Sequence, residues 1–489
     1  MATKRHDGGA VLARICAAPE DLELRLVLAD QLSERGDPRG AFISQQCQLS
    51  RLDPLDEAYG PLLASTRRLE AKHAAQWLGD GLPKLEPGGF SKVTVDAVRN
   101  AVFENGFLAR VAVTEDELRA VWKTLSAREP LAGVELLVNE GIDTHDVPEA
   151  AAFRALKVSP DSWFTSHSVG SVLAWGMPKL EALDLSGCDL GTTGAQLLAN
   201  LETDLAETFE GWKAPEPFAK GQLKSLVLHG CSIGDAGAAL LFAADSLAGL
   251  RTLVLSQCRL TRAETLKALK QSKLALTRLS LSGNKELGGH FDALAGWAAL
   301  PKLEALALPQ TVTADDVWAL FPKASKALRS LDVTGAKELL EDAAVVVDTA
   351  EALTHLDLGL TSVGDEGFGA LVTAKPLNRL LELNVNGCSL SDDAVEVLAT
   401  KGPTRLVTLD LSSNKLTDAG VKQLAAWKGL ANVTHLRLGN NRKVTAAGLK
   451  ALIDAKAFEP AMLDVGKVSD GKVISALADR FGKQTLVSR

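Results

Sequence analysis

The sequence predicts an α/β solenoid: a curved parallel sheet with helices on its outer side, preceded by a small, mainly helical N-terminal domain. Three observations carry this. A strand–turn–helix unit recurs, clearest in residues 406–430, LVTLDLSSNKLTDAGVKQLAAWKGL. The central strand leucines fall at Leu156, Leu183, Leu226, Leu253, Leu279, Leu306, Leu331, Leu356, Leu383, Leu409, Leu436 and Leu463. Their steps are 27, 43, 27, 26, 27, 25, 25, 27, 26, 27 and 27. At 489 residues the chain is also too long for one ordinary core, a limit that a stack growing in one dimension escapes.

Within the unit, Leu409 and Leu411 mark a short strand that turns at Asn414. Thr417 suits an N-cap and Asp418 the positive end of a helix, along which Val421, Leu424 and Ala425 share one face. One such unit cannot bury its apolar side alone, so copies must stack. Gly194, Gly237, Gly367, Gly420 and Gly448 recur at one helix position, where a missing side chain is expected to let helix and sheet approach. Trp175, Trp297 and Trp427 precede the next strand and are expected to plug the gap between helix end and strand.

In chain order, residues 1–112 do not repeat and form the N-terminal domain. Leu22, Leu26 and Ala29, with Leu24, Leu28 and Leu32 beside them, predict a helix stopped by Gly36-Asp37-Pro38. Further helices are expected over 39–52 and 62–78, and 90–113 reads as strand-rich. Residues 113–180 form a transition with degenerate copies at Val134 and Leu156, followed by regular repeats over 181–468. The step of 43 holds an insertion at 202–221, with Phe209, Trp212 and Phe218. A longer helix and loop packed on the outer face is favoured there over a projecting contact loop. Residues 469–489 supply a cap helix through Val473, Ile474, Leu477 and Phe481, because an open last repeat exposes core and sheet edge.

The formal net charge of −8 argues against a nucleic-acid backbone as partner, since that needs clustered Lys and Arg. No run of 18 apolar residues implies a membrane span, and the first residues lack the apolar core of a signal peptide, so a cytoplasmic protein with six free cysteines is expected.

Chemistry is sparse. Cys188, Cys231, Cys258 and Cys388 share one repeat position, filled elsewhere by Asn284, Thr311, Asn414 and Asn441. Stacked in a row, they suit turn hydrogen bonds and not a tetrahedral metal. No phosphate loop, GxSxG or HExxH occurs, so no catalytic, cofactor or metal residue is assigned and the chain is read as a non-enzyme.

The concave face is the informative surface. Between the paired leucines of each strand stand Asp184, Val227, Val254, Ser280, Ala307, Asp332, Asp357, Asn384, Asp410, Arg437 and Asp464. Stacked carboxylates repel, so Asp332, Asp357 and Asp410, with Glu382 beside them, suit a basic partner surface; solvated strand residues are the competing reading. The candidate partner-binding set is Asp332, Asp357, Glu382, Asn384, Asp410, His355, His435 and Arg437. His229 also projects from a strand.

Residues 24–49, LRLVLADQLSERGDPRGAFISQQCQL, resemble the bacterial repeat-companion domain that precedes repeat arrays, although Gln31 stands where that family has tryptophan. The LxxLxLxxN/C pattern over about 130–489 resembles leucine-rich repeats of the ribonuclease-inhibitor and cysteine-containing kinds, which carry a helix in each copy. Together these imply an intracellular protein-binding scaffold using the concave face. By analogy of fold, a regulator of an enzyme such as a small GTPase and a substrate adaptor or effector are the alternatives.

Overall fold

The computed structural model describes residues 8–79, 101–138, 147–160, 164–201, 218–321, 325–338, 351–468, 470–482 and 486–487. They form two compact units. The first comprises Met1–Leu52, Lys72–Arg259 and Ser272–Ala275; the second comprises Asp53–Ala71, Leu260–Gln271 and Leu276–Arg489.

In the first unit, helices α1 (Gly8–Ala17), α2 (Leu22–Ser33) and α3 (Pro38–Leu49) open the chain. Asp21 caps α2 by accepting from the amides of Glu23 and Leu24. Asp37 caps α3, whose first residue is the proline that needs no hydrogen-bond partner there. A helix expected to reach 52 therefore ends at Leu49. Ile15, Leu28, Ala29, Ile43 and Cys47 bury Phe107, the first residue of β2 (Phe107–Thr114). That strand forms a hairpin with β1 (Val102–Glu104) through Asn105 and Gly106, both with positive φ. Any side chain at Gly106 would meet the Ile43 backbone, so the hairpin sits hard on α3. Arg25, 4% exposed, holds it there: its guanidinium donates to the carbonyls of Pro19, Glu104 and Asn105. Strand signals at 92–95 lie outside the described residues.

The parallel ladder starts at β2. It continues through β3 (Gly133–Leu137), β4 (Ala155–Ser159), β5 (Ala182–Asp184), β6 (Ser225–Val227) and β7 (Thr252–Val254). Val134, Leu156, Leu183, Leu226 and Leu253 stand directly opposite one another, so the degenerate copies carry true strands. Of the insertion, residues 202–217 lie outside the described residues.

The second unit continues the pattern with β8 (Arg278–Ser280), β9 (Ala305–Ala307), β10 (Ser330–Asp332), β11 (His355–Asp357), β12 (Glu382–Asn384), β13 (Thr408–Asp410), β14 (His435–Arg437), β15 (Met462–Asp464) and β16 (Leu486–Val487). Leu331, Leu356, Leu383, Leu409, Leu436 and Leu463 pair in register and are all buried. Helices cover one side, including Gly364–Thr373, Asp392–Lys401, Asp418–Ala426 and Ala446–Asp454. The repeat at Leu279 departs from the expected helix in each copy. It makes 3-10 turns at Lys285–Leu287 and Phe291–Leu294, because Gly288-Gly289 interrupts the run. The last helix, Gly471–Phe481, buries Leu477 and sets Phe481 edge-on to Phe458, whereas Ile474 is exposed.

Two repeat positions acquire a physical role. The cysteine column bonds backwards: Cys258 Sγ donates to the Leu228 carbonyl at 2.9 Å and Cys388 Sγ to the Leu358 carbonyl at 3.0 Å. Asn414 and Asn441 make the same bond to Val385 and Leu411, and their side-chain oxygens also accept from the Leu390 and Leu416 amides. The recurrent glycine, in contrast, does not serve helix–sheet approach. A side chain at Gly420 or Gly448 would strike the carboxylate of Asp392 or Asp418 in the preceding repeat. At Gly194 and Gly367 it would strike Leu190 or Val363, four residues earlier.

Those carboxylates build an inter-repeat ladder. Asp365 accepts from the amide and hydroxyl of Ser391, Asp392 from those of Thr417, and Asp418 from those of Thr445, all at 2.6–2.9 Å. Each hydroxyl in turn caps its own helix. Trp175, Trp297 and Trp427 are buried, and Gly429 leaves room for the Trp427 ring.

Candidate protein-binding face

The sheet of the second unit has a face opposite the helices that follow its strands, open except where the segment Asp53–Ala71 crosses it. Strand alternation puts the residues on either side of each buried leucine there, in two columns. The first holds His355, Glu382, Thr408 and His435; the second holds Asp332, Asp357, Asn384, Asp410 and Arg437. All eight candidate residues therefore lie on one face.

The second column is hydrogen-bonded throughout. Each side-chain oxygen accepts from the amide two residues on: Asp332 from Thr334, Asp357 from Gly359, Asn384 from Asn386, and Asp410 from Ser412. These Asx turns close the strand ends. Lateral bonds link neighbours: Thr334 Oγ1 and Asn384 Nδ2 donate to Asp357 at 2.8 and 2.9 Å, and Asn386 Nδ2 to Ser412 Oγ at 2.7 Å. Arg437 partly compensates Asp410 at 3.4 Å. Among the described residues, neither Asp332 nor Asp357 is ion-paired, and they stand directly opposite each other on β10 and β11. Burial raises the Asp332 carboxyl above its ordinary value; Thr334 opposes this and Asp357 adds to it.

Beside this pair lies a residue that sequence reasoning passed over. Leu360 has φ +59°, at a repeat position held by Gly335 and Gly387 in the adjacent copies, and is 57% exposed. Gly387 gives its side chain room. Glycines in the neighbouring copies were the available signal.

The first column is occupied. Helix α4 (Tyr59–Gly79) begins in the second unit, to which its residues up to Ala71 belong. Arg67 Nη2 lies 2.6 Å from Glu382 Oε1, and Arg67 Nη1 donates to Thr408 Oγ1 at 2.8 Å. Arg68 donates to the carbonyls of Ala431 and Glu459, both at 2.7 Å. Ala64 is buried against Leu381 and Val407, with Tyr59 and Leu63 alongside. Upstream, Arg405 donates to the carbonyls of Pro54, Leu55 and Asp56, and Arg329 stands 3.7 Å from Asp53. The segment thus runs from the start of β10 to that of β15, five strand spacings or about 24 Å.

Charge at this contact is tightly set. Burial alone raises the Glu382 carboxyl, but Arg67 and His355 outweigh it and hold the group below its ordinary value. Burial, then Arg67, pushes His435 down to about 4, with Glu382 opposing. Burial also lowers His355, whose Nδ1 bonds Thr354 Oγ1 at 2.8 Å. No sequence motif marks Arg67 or Arg68, whose partners lie more than 300 residues away.

Among the described residues, no group of three or more His, Cys, Asp or Glu is arranged to hold a metal ion. No helix among them is long and apolar enough to cross a membrane.

The family model described as leucine-rich repeat matches residues 176–199, 352–372, 403–425 and 429–452. None of the curated proteins matches the chain significantly. Among solved structures, the chain is similar to one in the crystal structure of the Rad7–Elc1 complex of yeast, with TM-score 0.47, 16% identity, and coverage of 87% of this chain and 92% of that one. It is also similar to the internalin inlF of Listeria monocytogenes, with TM-score 0.36, 17% identity, and coverage of 76% and 93%.

Proposed function

We propose that the chain is a protein-binding scaffold that takes a partner with a basic surface on the open face of its second unit. One observation carries this reading: Asp332 and Asp357 lie side by side on adjacent strands without a counter-charge among the described residues, next to the exposed Leu360. Neighbouring carboxylates gain from a cation that desolvates with them, and the exposed leucine beside them supplies an apolar anchor. The hydrogen-bonded second column keeps these groups in place before any partner arrives, which lowers the ordering cost of binding.

The test is cross-linking mass spectrometry of the full chain in native cell extract, beside a variant with Asp332→Asn and Asp357→Asn. Asparagine keeps the acceptor that closes each Asx turn while removing the charge. Cross-links on β10–β12 to one protein, with at least tenfold less of it captured by the variant, are the expected result. Undiminished capture, with cross-links elsewhere, overturns the reading.

A further inference from the structure

We propose that the seat of Asp53–Ala71 is an arginine-recognition site for a helix, and that a partner protein's amphipathic helix carrying two adjacent arginines takes it when this chain's own segment is displaced. Four receptor groups read the two arginines. The Glu382 carboxylate and the Thr408 hydroxyl hold Arg67, and the Ala431 and Glu459 carbonyls hold Arg68. The carboxylate matches the guanidinium in charge, and carbonyls at successive repeats match a helix laid across the strands. The apolar contribution is small: Ala64 on Leu381 and Val407, with Tyr59 and Leu63 only partly buried. Charge-assisted bonds therefore dominate this stretch of helix. The Arg67 and Glu382 side chains remain 25% and 30% exposed, so solvent, and a competing guanidinium, reach the pair. Gly60 fits the same site, since a side chain there would press on Leu381 Cδ2 at 3.2 Å. A small residue seven positions before the first arginine would therefore favour a competing helix.

The inference rests on reading this face as protein-binding only in its choice of partner. Its test reads the affinity of the site itself. A fluorescent peptide of residues 53–79 is titrated into the full wild-type chain and into a full chain carrying Arg67→Glu and Arg68→Glu, with hydrogen exchange followed at residues 59–71. Expected are fast exchange at 59–71 in the variant and peptide binding at least tenfold tighter than to the wild type. Binding should be lost when the peptide carries the same two substitutions, and lost again when the receptor also carries Glu382→Lys. Equal binding to both chains, binding to neither, or slow exchange at 59–71 in the variant overturns the proposal. A concentration-dependent dimer of the wild-type chain that is lost in the variant also overturns it, by seating a second copy's segment in place of another partner. If charge reversal abolishes slow exchange throughout β8–β15, the chain with Arg67→Gln and Arg68→Gln replaces it in the same assay. Failure here leaves the scaffold reading standing, because that reading is tested at Asp332 and Asp357.

Discussion

Arg67 and Glu382, 315 residues apart in sequence, meet at 2.6 Å and join a helix near the start of the chain to a strand deep in the repeats. Both side chains are partly exposed, so the bond is weaker than a fully buried one. Equilibrium unfolding of Arg67→Ala or Glu382→Ala should show a loss of about 1–2 kcal/mol. The double variant should lose less than the sum, with a coupling of about 0.5–1 kcal/mol. Strict additivity would mean that the pair does not interact.

Docking of the segment should weaken in acid. His435 and His355 are held below their ordinary value in the folded chain, so the folded chain binds fewer protons than the unfolded one. Their contribution is fully present above about pH 6.5 and declines as the pH falls, for His435 towards about 4. Glu382, also lowered, acts in the same direction below its ordinary value. Hydrogen exchange at 59–71, corrected for the intrinsic rate, should quicken between pH 7.5 and 5, and His435→Gln should flatten that dependence. Arg278 lowers His355 further and Arg437 lowers His435 further.

The aspartate ladder predicts non-additive substitutions. Asp418→Ala removes two bonds to Thr445 and should cost about 1–2 kcal/mol. Gly448→Ala places a methyl 2.6 Å from Asp418 Oδ1 and should destabilise despite alanine's better helix propensity. In the double variant the clash with the carboxylate is gone and only the 3.0 Å approach to the Cα of residue 418 remains, so thermal denaturation should show it more stable than the two single losses imply.

Thiol titration at pH 7.5 should divide the cysteines. Cys188, Cys231, Cys258 and Cys388 are fully buried, and burial pushes their thiols up, Cys188 to about 12 and Cys258 to about 11. They should react only on unfolding, while the half-buried Cys16 reacts first. Rapid native labelling of the column would contradict its role in the backward hydrogen bonds.

Leu360→Gly should leave the fold intact and raise stability by up to about 1 kcal/mol, because a left-handed leucine is strained where glycine is not. Partner capture should nevertheless fall. Unchanged capture would remove Leu360 from the interface.

The leucine spacing located every strand from Val134 to Leu463, because burial of one leucine per turn is a local, periodic demand. The cysteine column was equally legible, since position within the repeat determines which carbonyl each side chain meets. The glycine position was seen and its reason misplaced: at Gly420 and Gly448 it accommodates a carboxylate of the preceding repeat, at Gly194 and Gly367 a side chain four residues earlier, and a one-dimensional pattern reveals neither partner. Gly288-Gly289 breaks one helix, which the regular step of 27 conceals. For the candidate face, the strand register lines the eight residues up in two columns beside the buried leucines. Alternation along the strands did not show that the aspartates close turns, nor that Glu382 already holds a guanidinium, because that contact depends on a segment with no repeat of its own.

Segment Asp53–Ala71 also bears on how the chain is made. Most contacts in a repeat stack form between neighbours as they emerge, and such folds assemble progressively. Arg67 is synthesised 315 residues before Glu382 and Arg68 391 residues before Glu459, so the segment must wait for that much more chain before its seat exists. At ribosomal rates of about 5–20 residues per second, that wait is on the order of 15–80 s. A stack of otherwise local contacts thereby acquires a late closing step, one that awaits the strands from β12 to β15.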